Sequence, residues 1–522
     1  KMAATIRQKM FPGAVYSTFI KFINNTRCHR DVYRYFSSSR VCTVADAATD
    51  DNTAGSKITT ESCVDKSTAD ILEQHHRGKS GHINYHKHPG VMIEKSTQLP
   101  APLIKALQIL LEKYPVATHS AKVVKLVRYL NQRQPPVTKK ELAEKTRIVE
   151  SKLRENENIN EEENEAAMEK HKKKVINRLR HSIYHWKPIQ YDAFTSYIYL
   201  IGRIASDYSI LLQIFTEISK RDVDFKPTSI FHYGSKVGSG IWAADKLWRT
   251  IGEHYCVEES GHMNTLAQLL LQDGNQQQLV SCISGVHFRQ FLPSSAEHKF
   301  SVVVSAYMLM EQPSPADRLQ LLHDLWTMTD NYLLLVETGT GAGFNLINEA
   351  KEFILQNSQR QSEQFLPGHV FAPCPHDKSC PKLREKNQPC LTESVLRNVD
   401  FTSQKLSEQK SKHARYSYVI LKKGPRAQDT EWPRVLHPIK SDRHVHVHMC
   451  LPCGNLQHVV ITKGKFDKHL YGCAGHVEQG DRLPVSLSQL TTTTSSTEQQ
   501  PDTSISATSD NDFDNVNSNR RQ

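Results

Sequence analysis

No uninterrupted apolar run in the 522 residues approaches the roughly 20 needed to span a bilayer, so a membrane partner is not expected. Apolar residues are scarce altogether, at 38% of the chain with a mean hydropathy of −0.52, which implies sizeable polar segments outside any core. Cysteine is too sparse and too unevenly placed for a secreted disulfide scaffold, because five of the 11 crowd between Cys374 and Cys453. Metal or cluster binding suits that crowding better. Acid is nearly missing from residues 1–40, where Asp31 stands alone against Arg7, Lys9, Lys21, Arg27, Arg30, Arg34 and Arg40. An Arg-rich, acid-poor, serine-containing start is the pattern of a mitochondrial transit peptide, and Arg34-Tyr35-Phe36-Ser37 is a candidate processing site with cleavage before Ser37. The whole chain is basic, with a net charge of +11 and a pI near 9.0. Such a balance favours an anionic partner, and nucleic acid is the commonest one for a chain without a membrane helix.

The stretch that organises the rest is residues 229–245, Ser-Ile-Phe-His-Tyr-Gly-Ser-Lys-Val-Gly-Ser-Gly-Ile-Trp-Ala-Ala-Asp. It reads as an apolar strand, a turn rich in glycine and serine, and an apolar helix start. Glycines in such a turn let backbone approach a nucleotide-like ligand, while the helix N-terminus offers free N–H groups. A second strand follows at Tyr255-Cys256-Val257, with Glu258 and Glu259 at the end where an acid reaches ribose hydroxyls. Buried strands are expected at residues 300–305 and 332–337, separated by a helix carrying Leu319, Leu322 and Leu325. Strand and helix alternate at βαβ spacing, so the expected fold is α/β with a parallel, doubly wound sheet.

These residues resemble a known family, the methyltransferase-like assembly factors of the mitochondrial ribosomal small subunit. The resemblance covers roughly residues 191–485. It rests on His-Tyr-Gly-Ser-Lys-Val-Gly-Ser-Gly-Ile-Trp-Ala-Ala, Val-Val-Val-Ser-Ala-Tyr-Met-Leu-Met-Glu, Leu-Leu-Val-Glu-Thr-Gly-Thr, the cysteine loop and Arg-His-Val-His-Val-His-Met-Cys. It implies a Rossmann-like class I methyltransferase sheet with an N-terminal helical region, a cysteine-rich insertion and a small β-prone C-terminal extension. Active transferases of that class place an acid two residues before the first glycine and a glycine two residues after it; here those positions are His232 and Lys236. A histidine supplies no anion for the α-ammonium of S-adenosylmethionine, and a lysine side chain crowds a place that glycine leaves open. Gly234, Lys236, Gly238 and Glu258 are the candidate cofactor-binding residues; binding of S-adenosyl-L-methionine is weakened and stays open. The Asn/Asp-Pro-Pro-aromatic run that would polarise a base amine is replaced by Val304-Ser305-Ala306-Tyr307-Met308, and no nucleophilic cysteine stands there. No catalytic residue is assigned.

Taken in order, the chain divides into the leader (1–40), a linker rich in Thr, Asp, Ser and Gly (41–81) and a helical N-terminal region (82–190). A methyltransferase-like domain (191–424) follows with its cysteine-rich insertion (366–395), then a C-terminal RNA-binding extension (425–485) and a polar tail expected to be disordered (486–522). In the insertion, Cys374-Pro375, Cys380-Pro381 and Pro389-Cys390 are spaced too widely for the C-x2-C knuckles of most structural zinc sites and suit an iron–sulfur cluster better. The resemblance implies a [4Fe–4S] cluster held by Cys374, Cys380, Cys390 and Cys450, with Cys453 open as the alternative fourth ligand. Alternation puts His444, His446 and His448 on one strand face, where they could ligate metal or lie along RNA. Arg434, Lys440, Arg443, His444, Lys463 and Lys465 are the candidate RNA-binding residues.

The expected function is therefore small-subunit assembly in the mitochondrial matrix. The chain would bind small-subunit rRNA beside small-subunit ribosomal proteins through a degenerate, inactive methyltransferase domain stabilised by the cluster. The rival is an active S-adenosylmethionine-dependent rRNA methyltransferase; a third reading is an iron–sulfur sensor coupling cluster supply to translation.

Overall fold

The computed structural model describes residues 57–486 except 60–61, 76–82, 95, 116–118, 158–164, 279, 294–297, 360–365, 385–387, 398–410 and 427–431. The expected leader, its processing site and nearly all of the C-terminal tail lie outside the described residues.

The first short strand, β1 (Cys63–Val64), belongs with the C-terminal unit and is taken up below. The central sheet is built from β2 (Ser229–Tyr233), β3 (Glu253–Val257), β4 (Val286–Arg289), β5 (Phe300–Ala306), β6 (Thr329–Thr338), β7 (Gly368–Ala372), β8 (Thr392–Arg397) and β9 (Ser411–Lys423). Its order is β4-β3-β2-β5-β6-β9-β7, with β8 also paired to β9. The first five strands are parallel and β9 runs antiparallel between β6 and its two outer neighbours. This is the class I methyltransferase arrangement. Strand succession reverses between β2 and β5, and at such a switch point the loops after the two strands diverge and leave a crevice.

Strands β5 and β6 are nearly continuous apolar runs because helices cover both sheet faces. One face carries the Ala101–Lys113, Ala193–Arg221, Ser239–Leu247 and Gly261–Leu271 helices over Ile230, Val302, Val304 and Leu334. The other carries Pro315–Met328 and Gly341–Gln359 over Phe231, Val303, Leu333 and Leu335. The Ala193–Arg221 helix starts where the Asp192 carboxylate accepts from the Thr195 N–H at 2.7 Å. By length and composition it is apolar enough to cross a membrane, although Arg203 and Asp207 interrupt its apolar run. Its apolar window is 83% buried inside the protein, so its hydrophobicity is used in the core.

Strand β9 is 13 residues long, and two strands of the insertion, β7 and β8, pair along it. The insertion is thus the far edge of the sheet. The C-terminal unit is a three-stranded antiparallel sheet of β10 (Arg434–Lys440), β11 (His444–Cys450) and β12 (Leu456–Thr462), covered on one face by the Lys468–Ala474 helix. The expected linker is corrected here. Ile58, Val64 and Leu72 enter the core of this unit, and β1 pairs with β13 (Val485–Ser486). Three buried aliphatics are enough to dock a segment whose polar composition otherwise reads as unstructured.

Candidate functional site

The turn after β2 is built on left-handed backbone: Gly234 has φ +71°, Lys236 +48° and Gly238 +81°. Gly238 is the N-cap of the Ser239–Leu247 helix and has no side chain with which to cap it. Three of the turn's N–H groups are already occupied by the neighbouring strand end. Those of Gly234 and Ser235 donate to the Val257 carbonyl at 2.8 and 3.2 Å, and that of Lys236 donates to Glu258 Oε2 at 3.2 Å. The Lys236 ammonium lies 3.5 Å from the same oxygen and 4.7 Å from the centre of the Tyr191 ring. Glu258 Oε1 accepts from the Ser260 N–H at 3.1 Å. Both carboxylate oxygens expected to meet a ribose are therefore satisfied from within. Burial opposes the charge on Lys236, but Glu258, Tyr191 and Glu311 outweigh it and hold the ammonium above its ordinary range.

The rest of the crevice is filled in the same way. A methyl group added at Gly234 would come within 2.2 Å of Met308 Sδ, so the room the glycine leaves is taken by that side chain. His232 is fully buried, with Nε2 3.3 Å from His254 Nδ1; burial and then His254 depress its basicity, so it is neutral where an active transferase has an anion. Tyr307, at φ +62°, stands under the Arg203 guanidinium, which pairs with Asp207 at 2.7 Å. The N-terminal region closes the opening: Arg133 pairs with Glu311 and donates to the Lys187 carbonyl at 2.8 Å, and the Trp186 indole donates to the Met310 carbonyl at 3.0 Å. Two cavities remain beside Lys236, of about 30 and 20 Å³. Each holds about one water, whereas ligand sites run to roughly 300 Å³ and more. In this conformation the residues do not fit S-adenosylmethionine.

The cysteines come together because three strands end near one another. Cys374 and Cys380 lie in the loop leaving β7, Cys390 lies just before β8, and Cys450 is the last residue of β11. Burial pushes the Cys390 thiol up to about 12, and Cys374 and Cys380 add to it. Burial also raises Cys450, followed by Cys374, Cys390 and Cys380. The four thiols thus stand within electrostatic reach of one another, with His376 Nε2 at 3.3 Å from Cys450 Sγ. Cys453 instead packs against the C-terminal core. Among the described residues, no group of three or more His, Cys, Asp or Glu side chains is arranged to hold a single metal ion. Four thiolates, one per iron, are what a [4Fe–4S] cluster would take from Cys374, Cys380, Cys390 and Cys450.

The expected RNA-binding residues separate into two groups. Arg443, Lys463 and Lys465 are exposed at the β10–β11 hairpin and just after β12, close to His444, which pairs with Thr462 across the strands. Lys440 is exposed but engaged with Glu478 at 2.7 Å. Arg434 is a correction. It is only 3% exposed and is committed to Glu217 at 2.7 and 2.9 Å, to the Tyr418 hydroxyl at 3.1 Å and to the Pro373 carbonyl at 2.8 Å. A guanidinium so enclosed cannot reach a phosphate; it staples the C-terminal unit to the Ala193–Arg221 helix and to β9. Sequence reasoning also missed His437 and His458, which join the β11 histidines only through cross-strand register.

Strand order and the glycine turn at the switch point define a protein of the class I methyltransferase fold, with its cofactor crevice filled by its own side chains. Residues 193–484 match the family described as Mitochondrial small ribosomal subunit Rsm22, and the chain belongs to that family. It is 36% identical over 412 residues, 78% of this chain and 88% of the relative, to the human (Homo sapiens) ribosome assembly protein METTL17, mitochondrial. It is 26% identical over 316 residues, 54% of this chain and 41% of the relative, to the Rsm22-cox11 tandem protein 2, mitochondrial, of Schizosaccharomyces pombe. Among solved structures, a precorrin-6y C5,15-methyltransferase from Geobacter metallireducens is similar with a TM-score of 0.25 and 9% identity, covering 42% of this chain and 86% of that one. That last likeness carries no information about activity.

Proposed function

We propose that the protein is an assembly factor of the mitochondrial small ribosomal subunit, at work in the matrix, that binds small-subunit rRNA and neighbouring ribosomal proteins and uses its methyltransferase-like domain as a scaffold. The observation that best supports a scaffold is the Lys236–Glu258 ion pair lying in the cofactor crevice, with Met308 packed over Gly234. A buried ammonium–carboxylate pair is costly to open, because separating the charges leaves each one unpaired and desolvated. A ligand entering here would have to break that pair and displace Met308. Of the expected RNA-binding cations, Arg443, Lys463 and Lys465 of the C-terminal unit are exposed and would face an anionic partner.

Cys374, Cys380, Cys390 and Cys450 would hold a [4Fe–4S] cluster. Bound there, the cluster would cross-link the insertion to β11 and so fix the C-terminal unit against the main sheet. Arg434 and Glu217 brace the same junction from the protein side. In this division of labour, residues 191–424 are the frame and residues 425–485 are the RNA-facing part. The experiment is ultraviolet cross-linking of the protein in intact mitochondria followed by sequencing of the attached RNA. Enrichment of small-subunit rRNA, lost on reversing the charges of Lys463 and Lys465, is expected. Recovery of no RNA, or of large-subunit rRNA alone, would overturn the proposal.

A further inference from the structure

Alternation along β11 sends Val445, Val447 and Met449 into the C-terminal core and turns His444, His446 and His448 to the opposite face. Register then completes that face. His437 and His458 lie opposite His448 from either side, Ile439 and Val460 lie opposite His446, and Thr462 lies opposite His444. The imidazoles are nearly parallel: His448 and His458 stack 4.2 Å apart with planes at 11°, and His446 lies 5.2 Å from the His458 ring at 10°, its Nδ1 3.0 Å from His458 Nε2. Ile439 and Val460 are 46% and 40% exposed. An open groove of about 590 Å³ runs from His437, His448 and His458 to Lys382 and Gln388 of the insertion. At the other end of the sheet stand Arg443, Lys463 and Lys465, with Asp442 the one acid in that hairpin turn.

We infer that this histidine face stacks the unpaired bases of an RNA strand while the flanking cations hold its phosphates. The inference rests on the RNA-binding function proposed above and names the form of RNA and its mode of contact. Flat rings on an open sheet, with successive outward residues about 7 Å apart along each strand, offer the platform on which single-stranded bases stack without regard to sequence. Aliphatic neighbours extend the platform, and cations on two sides match a backbone that passes across it. A duplex fits poorly, since its bases are already stacked and it presents mainly phosphates and 2′-hydroxyls. Among the described residues no three His, Cys, Asp or Glu side chains are grouped around a single metal position.

The test uses the full chain purified anaerobically and fluorescence anisotropy with a 12-nucleotide unpaired oligoribonucleotide and a hairpin duplex. His446→Ala/His458→Ala should weaken single-strand binding by about 5- to 150-fold for each base unstacked, without changing the salt slope. His446→Phe/His458→Phe should restore it, since phenylalanine stacks but carries neither charge nor ring nitrogen. Tight binding by the Ala variant, equal weakening by the Phe variant, or equal affinity for the duplex would overturn the inference. So would a photo-cross-linker at Val460 that captures only protein from mitochondrial lysate. Loss of binding in Lys463→Glu/Lys465→Glu with no effect of the histidine variants sinks the stacking and leaves the RNA-binding function standing; absence of RNA binding by the unaltered protein sinks both.

Discussion

Replacing Glu217 by Gln should destabilise the protein by about 3–5 kcal/mol, the usual cost of removing one partner from a buried ion pair. The side chains of Glu217 and Arg434 are 3% and 4% exposed, and the carboxylate receives Arg434 at 2.7 and 2.9 Å, Arg221 at 3.1 Å and the Tyr418 hydroxyl at 2.8 Å. Burial works against ionisation of Glu217, yet Arg434 and then Arg221 hold its pKa below the ordinary carboxylate value. Glutamine keeps the shape and removes the charge, leaving the Arg434 guanidinium with neutral acceptors. For the roughly 300 residues of the main domain and the C-terminal unit that the pair joins, the loss corresponds to a melting temperature lower by about 5–8 °C. Urea unfolding of the anaerobically purified protein measures it directly. A companion variant, Glu217→Leu/Arg434→Met, removes both charges and should recover most of the lost stability, because an apolar replacement of a buried pair is often neutral. A loss under about 1 kcal/mol in the single variant, or a double variant as unstable as the single, would refute the pairing.

Anaerobic protein should carry about four irons and four sulfides per chain, and Ser at Cys374, Cys380, Cys390 or Cys450 should remove them and lower stability, whereas Ser at Cys453 should not; stoichiometric zinc without sulfide would contradict this. Burial raises Asp481 from its ordinary 3.8 to about 6, so the folded state keeps that proton to higher pH than the unfolded chain. Its stabilising contribution is complete below about pH 4 and is lost as pH rises through 6, by about 3 kcal/mol. Comparing urea unfolding of the protein and of Asp481→Asn from pH 4 to 7 isolates this term, and parallel curves would disprove it. Gly234→Ala should cost stability by forcing Met308 away, and Gly234→Ala/Met308→Ala should recover part of it; thermal melts of the two variants decide.

The central sheet was legible because buried parallel strands announce themselves as apolar runs, and Phe300–Ala306 and Thr329–Thr338 are such runs. The edges were less so. Strands β4, β7 and β8 are short, polar or set among loops, and their pairing depends on partners far along the chain. The importance of Lys236 could be read from its place in the glycine turn, but not that it would satisfy Glu258, because that contact joins two loops across the sheet. Arg434 looked like one more cation in a basic extension; only the fold places the buried Glu217 opposite it. The alternating histidines of β11 showed a face, while His437 and His458 needed the register of both neighbouring strands. Composition misjudged residues 57–75 for a related reason: Ile58, Val64 and Leu72 acquire their meaning from a core assembled some 400 residues later.

The most direct test is complementation of cells lacking the protein, scored by the amount of assembled mitochondrial small subunit and by a methylation map of its rRNA. Lys236→Met/Glu258→Leu, which removes both charges of the crevice pair together and with them the candidate ribose ligand, should support assembly at a level near that of the unaltered protein, while Lys463→Glu/Lys465→Glu should not. Loss of assembly in Lys236→Met/Glu258→Leu at normal protein abundance, together with the disappearance of a specific methyl mark, would mean that the crevice opens and that the protein is an enzyme.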